Sequence, residues 1–331
     1  MSGDGPHGAR AELLPDGGAA AGSEEFFRSR PFLDAESVTH TLRIVVGETE
    51  LLAPLIVRDI SGADERDAIS PYGYPGIVQL TPAVDRAIDP TRGGSIALST
   101  IRAEEVDFAP TGLVSIFLRH ALGEPPLSGA AERNVVQIAD PALPRKSRPS
   151  DRNRINKNRK AGYETRIVPG PQTSAADRTG FLAAYEQTMR RTGAAERYFF
   201  DAEYFDRILA SPAAWLALAE APGGGIAAAS LAVRSDGFLH YYLSGSADAQ
   251  LRDSPMKNVV AALVELAAEL ELPLNLGGGI ARGDRLEEFK RGFANREQAW
   301  HVSEIVCDPA AYERLSAGRK AGDFFPAYRA P

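Results

Sequence analysis

The chain is poor in the residues that build the simplest functional sites. It carries one cysteine, Cys307, in 331 residues. That excludes an internal disulfide and a cysteine-rich zinc site, and it fits a reducing compartment. Cys307 sits in a strand-like run and is expected to be a small core residue. There is no His-Glu-x-x-His and no acidic cluster of metal-binding density, so no metal and no permanently bound cofactor is expected. Gly-x-Ser-x-Gly is absent too, which argues against an α/β-hydrolase. No apolar run is long enough to span a bilayer. The N-terminal stretch lacks the basic start and apolar segment of a secretory signal. Residues 1–38, rich in Gly, Ala and Pro, are expected to be a mobile tail, and the protein is expected to be cytoplasmic, with no membrane partner. The net charge is −7, so no general affinity for DNA is expected, and any nucleic-acid contact must come from local charge.

What is present suits a soluble α/β protein of about two domains. Hydrophobic residues make up 44% and charged residues 24%, as in ordinary globular chains. TLRIVVG and LLAPLIVRD, joined by a Gly-containing turn, read as a β-hairpin. SPYGYPG (70–76) reads as a loop. Strands are expected near 113–119 and 134–140. The proline-rich PALPRKSRPS (141–150) marks a linker, and the domain boundary is placed at 144/145. A basic helix then runs to about Gly162. A longer helix carries Phe181, Leu182, Tyr185 and Met189 on one face, and AEYFDRIL is a shorter one. WLALAEA, IAAASLAV and FLHYYLS form an antiparallel meander separated by turn sequences. Ser254 and Pro255 open the next helix. Regular alternation would put Phe238, His240, Tyr242 and Ser244 on one face of the third meander strand.

The most informative stretch is LNLGGGIARGDRLEEFKRGF (274–293). A short strand runs into Gly277, Gly278 and Gly279, where the backbone takes conformations closed to other residues and a ligand can come close. Asp284 then starts a helix, with Glu287 as its capping-box partner. Leu286, Phe289 and Phe293 share one face by spacing, and Lys290 is expected at its edge. An ammonium there can stabilise charge developing on a carbonyl. Equally, it can be a surface lysine beside a core stripe.

The GGG…D.L..FK..F arrangement resembles the FemABX-like branch of the GNAT acyltransferases. SPYGYPG, the basic run DRNRINKNRKAGYE (151–164) and the helix-then-meander segment agree with it, in that order, over roughly residues 40–310. The resemblance implies two GNAT-like lobes, each a mixed, mainly antiparallel sheet flanked by helices, the first degenerate. They are expected at 39–144 and 145–310, followed by an extension at 311–331, with a cleft near their junction. It implies amide-forming N-acyl transfer, most simply of an aminoacyl group from aminoacyl-tRNA to a small-molecule or peptide amine. In tRNA-using relatives a Phe-Lys pair on the matching helix assists the tetrahedral intermediate. Here that pair is Phe289-Lys290. Acyl-CoA as donor and a non-catalytic binding module remain alternatives.

The other candidate residues follow from position. A GNAT pyrophosphate loop would fall at SGSADAQLRDSPMKN, but no Gly-rich phosphate pattern appears there and Pro255 removes a donor. Arg152, Lys157 and Arg159 belong to a basic run that either holds phosphate or is a solvated helix face. Tyr72 and Tyr74 offer hydroxyls in a fixed loop, either lining a cleft or packing as a turn. Tyr242 or His240 can help deprotonate the acceptor amine or position the donor, while His240 can also be a satisfied core histidine. Gly278, Gly279 and Asp284 complete the expected binding set.

Overall fold

The computed structural model describes residues 8–20, 25–80, 97–320 and 322–330. The chain forms two compact units, one of residues 1–133 and 300–331 and one of residues 134–299. Among the described residues, no helix is long and apolar enough to cross a membrane.

The first unit begins inside the stretch expected as a tail. β1 (Arg10–Leu14) pairs antiparallel with β2 (His40–Val46), and α1 (Arg30–Ala35) lies between them. Phe26, Phe27, Phe32 and Leu33 are buried. The aromatic run FFRSRPFL supplies the apolar surface that orders this segment, which the Gly- and Ala-rich composition around it obscured. β2 and β3 (Thr49–Asp59) form the expected hairpin, closing at Val46↔Thr49 with Gly47 at φ 60°. β4 (Arg66–Ile69) continues the antiparallel run, while β5 (Val78–Leu80) pairs with β3. β6 (Ser115–Arg119) is parallel to β4 over only two residue pairs, Ala68↔Ile116 and Ile69↔Phe117. Leu42, Ile44, Leu51, Ala53, Leu55, Ile116 and Leu118 form the centre of this core.

β7 (Ala131–Ala139) crosses into the second unit. α2 (Pro149–Lys160) starts with Pro149 in its first turn, and Gly162 follows its end at φ 91°, a left-handed stop that favours glycine. β8 (Glu164–Pro169) leads to α3 (Ala175–Thr192), which is closed by a Ser174/Asp177 capping box and by Gly193 at φ 61°. α4 (Ala202–Leu209) is capped by Asp201. β9 (Ala214–Glu220), β10 (Ile226–Ser235) and β11 (Phe238–Ser246) make the expected meander, with β8 outside β9. α5 (Met256–Glu269) lays Val259, Val260, Leu263 and Ala267 on Ala217, Ala219, Ala228 and Ala232 of the sheet. Small strand residues let the helix come down close on it.

β12 (Leu274–Asn275) repeats the first unit's device. It is parallel to β11 over two pairs only, Leu239↔Leu274 and His240↔Asn275, and antiparallel to β7 on its other side. α6 (Arg285–Arg291) follows. β13 (Arg296–Val306) then returns to the first unit, where Val302–Val306 pair antiparallel with β6, and α7 (Pro309–Ser316) follows. The fold is mixed α/β, with two units of matching strand plan: an antiparallel run, one short parallel pair and one closing antiparallel strand.

α3 packs directly on β11 at Gly245. A Cβ there would lie 2.4 Å from the Ala184 carbonyl oxygen and from the Tyr185 backbone nitrogen, closer than any real contact. Gly245→Ala is therefore expected to push helix and strand apart and cost about 1–3 kcal/mol, read as a lowered urea midpoint with an unchanged slope.

Candidate active site

The site grows from the place where β11 and β12 part. Their pairing stops at His240↔Asn275, and a chain of polar bonds holds that point. His240 Nε2 donates to the Ser235 carbonyl at 3.1 Å, and Asn275 Nδ2 donates to His240 Nδ1 at 3.0 Å. Asn275 Oδ1 in turn accepts the Gly277 N–H at 2.8 Å. The imidazole is thus a neutral tautomer with both nitrogens used, and burial lowers its pKa to about 4. Its geometry is that of a structural histidine fixing the strand end, not of a base facing an amine.

Beyond that point β11 breaks its alternation. Leu231 pairs with Leu243 but Ala232 pairs with Tyr241, so Tyr242 is the extra residue of a bulge. Tyr241 packs with the α5 core, yet Gly245 faces α3. The expected single face from Phe238 to Ser244 is therefore interrupted. Tyr242 is half-buried, and its hydroxyl lies 3.1 Å from that of Tyr204, whose ring stacks on Phe200 at 4.0 Å.

The three glycines each meet a different obstacle. Gly277 has φ 75°, and a Cβ on it would sit 3.1 Å from Lys290 Nζ. A Cβ on Gly278 would strike the Asn134 amide, and one on Gly279 would strike Asp284. Asn134 Nδ2 donates to the Gly279 carbonyl at 3.1 Å. Asp284 Oδ1 accepts the Glu287 N–H at 2.7 Å, while Oδ2 accepts those of Ile280 and Ala281 at 2.7 and 3.0 Å. These bonds hold the Asp284 pKa below the usual carboxylate value. Glu287 reaches back to the Gly283 N–H at 2.7 Å rather than to Asp284, one residue earlier than in a capping box. Asp284 is thus the brace of the turn.

α6 does not bury the face expected from its pattern. Leu286 is 41% exposed, whereas Glu287 and Lys290 are buried. Phe289 is half-buried against Phe293, which lies past the helix end at Gly292. The helix is short, and its inward positions serve the turn's polar groups rather than the core. Lys290 Nζ donates to the Gly278 carbonyl at 2.5 Å. Burial lowers its pKa to about 8, with Asp284 pulling the other way. An ammonium has three donors, so the Gly278 carbonyl leaves two.

The entry to α5 is poor in free donors. Ser254 adopts φ 51°, and its N–H goes to the Leu251 carbonyl at 3.1 Å; Pro255, not Ser254, takes the N-cap position. Pro255 has no N–H. Those of Lys257 and Asn258 are bonded to Ser254 and Pro255 at 3.0 and 2.9 Å. Among the described residues, this first turn leaves only the Met256 N–H. The Lys257 ammonium is held 2.7 Å from the buried Asp151.

Asp151, Ile155 and Asn158 form the buried face of α2. Arg152, Lys157 and Arg159 lie on its exposed side, and among the described residues none has an ion-pair partner. Tyr72 and Tyr74 belong to the first unit. The Tyr72 N–H donates to Glu36 at 2.8 Å, and Tyr74 packs edge-on against Phe27 and Trp300. The second unit thus brings together Lys290, Phe289, Gly278, Gly279 and Asp284. Sequence reasoning missed Asn275 and Asn134 as their supports. A lone asparagine between Leu274 and Leu276 in a buried strand was the available signal, because a buried amide needs partners.

Residues 145–291 match the acetyltransferase (GNAT) domain family. Among curated proteins nothing matches the sequence. Among solved structures, FemX is 12% identical, covers 86% of this chain and 93% of its own, and superposes with a TM-score of 0.56. The L-PGS from Bacillus licheniformis is 11% identical over 78% of this chain and 81% of its own, with a TM-score of 0.48. A tandem GNAT protein from the clavulanic acid biosynthesis pathway is 11% identical over 90% of this chain and 99% of its own, with a TM-score of 0.42. The FemX likeness shows a shared fold.

The Lys290 environment carries a pH signature. Below about pH 8 the folded protein holds a buried cation that unfolding would release to water. Between about 8 and the ordinary 10.5 the unfolded chain binds that proton and the folded chain does not, so stability rises with pH in this window. Lys290→Met removes the dependence. Urea unfolding at pH 7, 9 and 10 is expected to show the wild type gaining on the variant as pH rises, and a constant difference would place the ammonium in water.

Proposed function

We propose that the protein is an N-acyltransferase that forms an amide on a small-molecule or peptide amine, taking an aminoacyl group from aminoacyl-tRNA. The observation that carries this is the buried Lys290 ammonium, held at the Gly278 carbonyl with two donors to spare. The amine nitrogen attacks the ester carbonyl, the carbon–nitrogen bond forms, and the carbon–oxygen bond to the ribose breaks. Negative charge on the tetrahedral intermediate is met by the Lys290 N–H groups. The proton lost by the amine ends on the departing 3′ oxygen. A lysine whose pKa is about 8 can pass that proton on near neutral pH. Gly277 keeps Nζ approachable, because any side chain there would cover it. Phe289 supports the helix end that carries Lys290, and Tyr242 offers a hydroxyl where β11 has left β12.

Two features support a tRNA-borne donor. The α5 entry lacks the backbone donors that a CoA pyrophosphate would need. The exposed face of α2 carries Arg152, Lys157 and Arg159 without acidic partners among the described residues, a row suited to phosphates. The match to an acetyltransferase domain favours the second reading, an acyl-CoA donor.

Transfer is expected in a reaction supplied with tRNA, a synthetase and ATP, and RNase should abolish it. Lys290→Met should lower the rate ~10²–10³-fold. Stoichiometric acetyl-CoA binding at low micromolar concentration by calorimetry, or product from acyl-CoA with RNase present, would move the protein to the second reading.

The α2 row gives a separate prediction. Changing Arg152, Lys157 and Arg159 together to Gln should reduce the slope of log affinity for tRNA against log salt by about 2–3. An unchanged slope would mean a solvated face.

A further inference from the structure

The turn that brings Gly278 to Lys290 also carries an apolar side chain in an unusual place. Ile280 is 90% exposed. A large aliphatic residue so fully in water, on a segment held in one shape, is uncommon enough to ask what covers it. The segment is held. The N–H groups of Ile280 and Ala281 donate to Asp284, that of Gly283 to Glu287, and the Gly279 carbonyl accepts from Asn134. Ile280 cannot turn inward without breaking this brace. Arg282 and Arg285 flank it, both exposed. Among the described residues neither has an ion-pair partner, whereas nearby Arg291 is taken by Glu287 and Arg148 by Glu288. The tip is therefore one aliphatic knob between two unneutralised guanidinium groups, on a molecule whose net charge is −7.

We propose that this tip docks the single-stranded 3′ end of an RNA, with Ile280 packed on the face of a base and Arg282 and Arg285 on neighbouring phosphates. The inference rests on the tRNA-borne donor proposed above. Guanidinium forks match phosphate oxygens, and the face of a base accepts an apolar side chain whatever its sequence. One aliphatic side chain is too little to anchor in a bilayer. A second copy, meeting this tip through a two-fold contact, would bring four like charges together. Ile280 is two residues from Gly278, at most about 7 Å of chain. A terminal base held there keeps its ribose ester within reach of Lys290.

The test is fluorescence anisotropy with an RNA minihelix bearing a single-stranded 3′ tail and with the same RNA lacking it. Wild type, Ile280→Ser and Arg282→Gln/Arg285→Gln are compared over a salt series. Wild type is expected to prefer the tailed RNA. Ile280→Ser should weaken tailed binding about fivefold, the lower end for a lost base contact, with the salt slope kept. The double variant should flatten the slope by about 1.4, at about 0.7 per phosphate. Melting temperatures should not move, since none of the three side chains is buried. In transfer from aminoacyl-tRNA the variants should raise KM and keep kcat. If RNase-sensitive transfer is present but the variants bind as wild type does, the tip is not the contact and the proposed activity stands. If wild type neither binds RNA nor transfers from tRNA, both fall. Loss of binding to anionic vesicles in place of RNA would make the tip a membrane contact and overturn the inference.

Discussion

The candidate site depends on one constraint: β11 and β12 run side by side for two residue pairs and then separate. Separated strands leave backbone groups exposed and need something to hold them at the fork. The Ser235–His240–Asn275–Gly277 relay does this with bonds between buried groups that have little to gain from any other arrangement. It ends on the first glycine of the turn, so the fork and the turn are one mechanical unit. The Tyr242 bulge on one side and the glycines on the other are its two lips.

The chemistry of α6 follows from that unit. A seven-residue helix has little apolar surface to offer, and its inner side instead carries a carboxylate and an ammonium. Each meets the turn through hydrogen bonds, Glu287 at Gly283 and Lys290 at Gly278. Burial then does to Lys290 what water would not: it weakens the hold on the proton while keeping the amine in a fixed place. Position and proton affinity come from the same packing.

Much of the fold was legible. The hairpin, the meander, the basic helix and its Gly162 stop, and α4 all appear where periodicity and turn residues put them, because these signals are local. The misreadings share a cause in tertiary context. Phe26, Phe27 and Phe32 order a segment whose composition looks like a tail. Spacing placed Leu286 and Phe293 on a helix face, but the helix stops at Gly292. Alternation placed Tyr242 with His240, but the bulge intervenes. The glycine turn and Lys290 could be picked out by residue type. Their supports, Asn134 and Asn275, come from strands far apart in sequence and could not.

The exchange of closing strands bears on how the chain is made. The first unit is completed by Val302–Val306, which pair with β6, and these residues follow the whole of the second unit along the chain. Until then β6 has an open edge, the kind of surface that recruits stray strands. The order of synthesis therefore cannot finish the first unit before the second is fully translated. Cutting the gene between the halves would strand that edge permanently, which makes the two halves a single inheritance, lost or kept together.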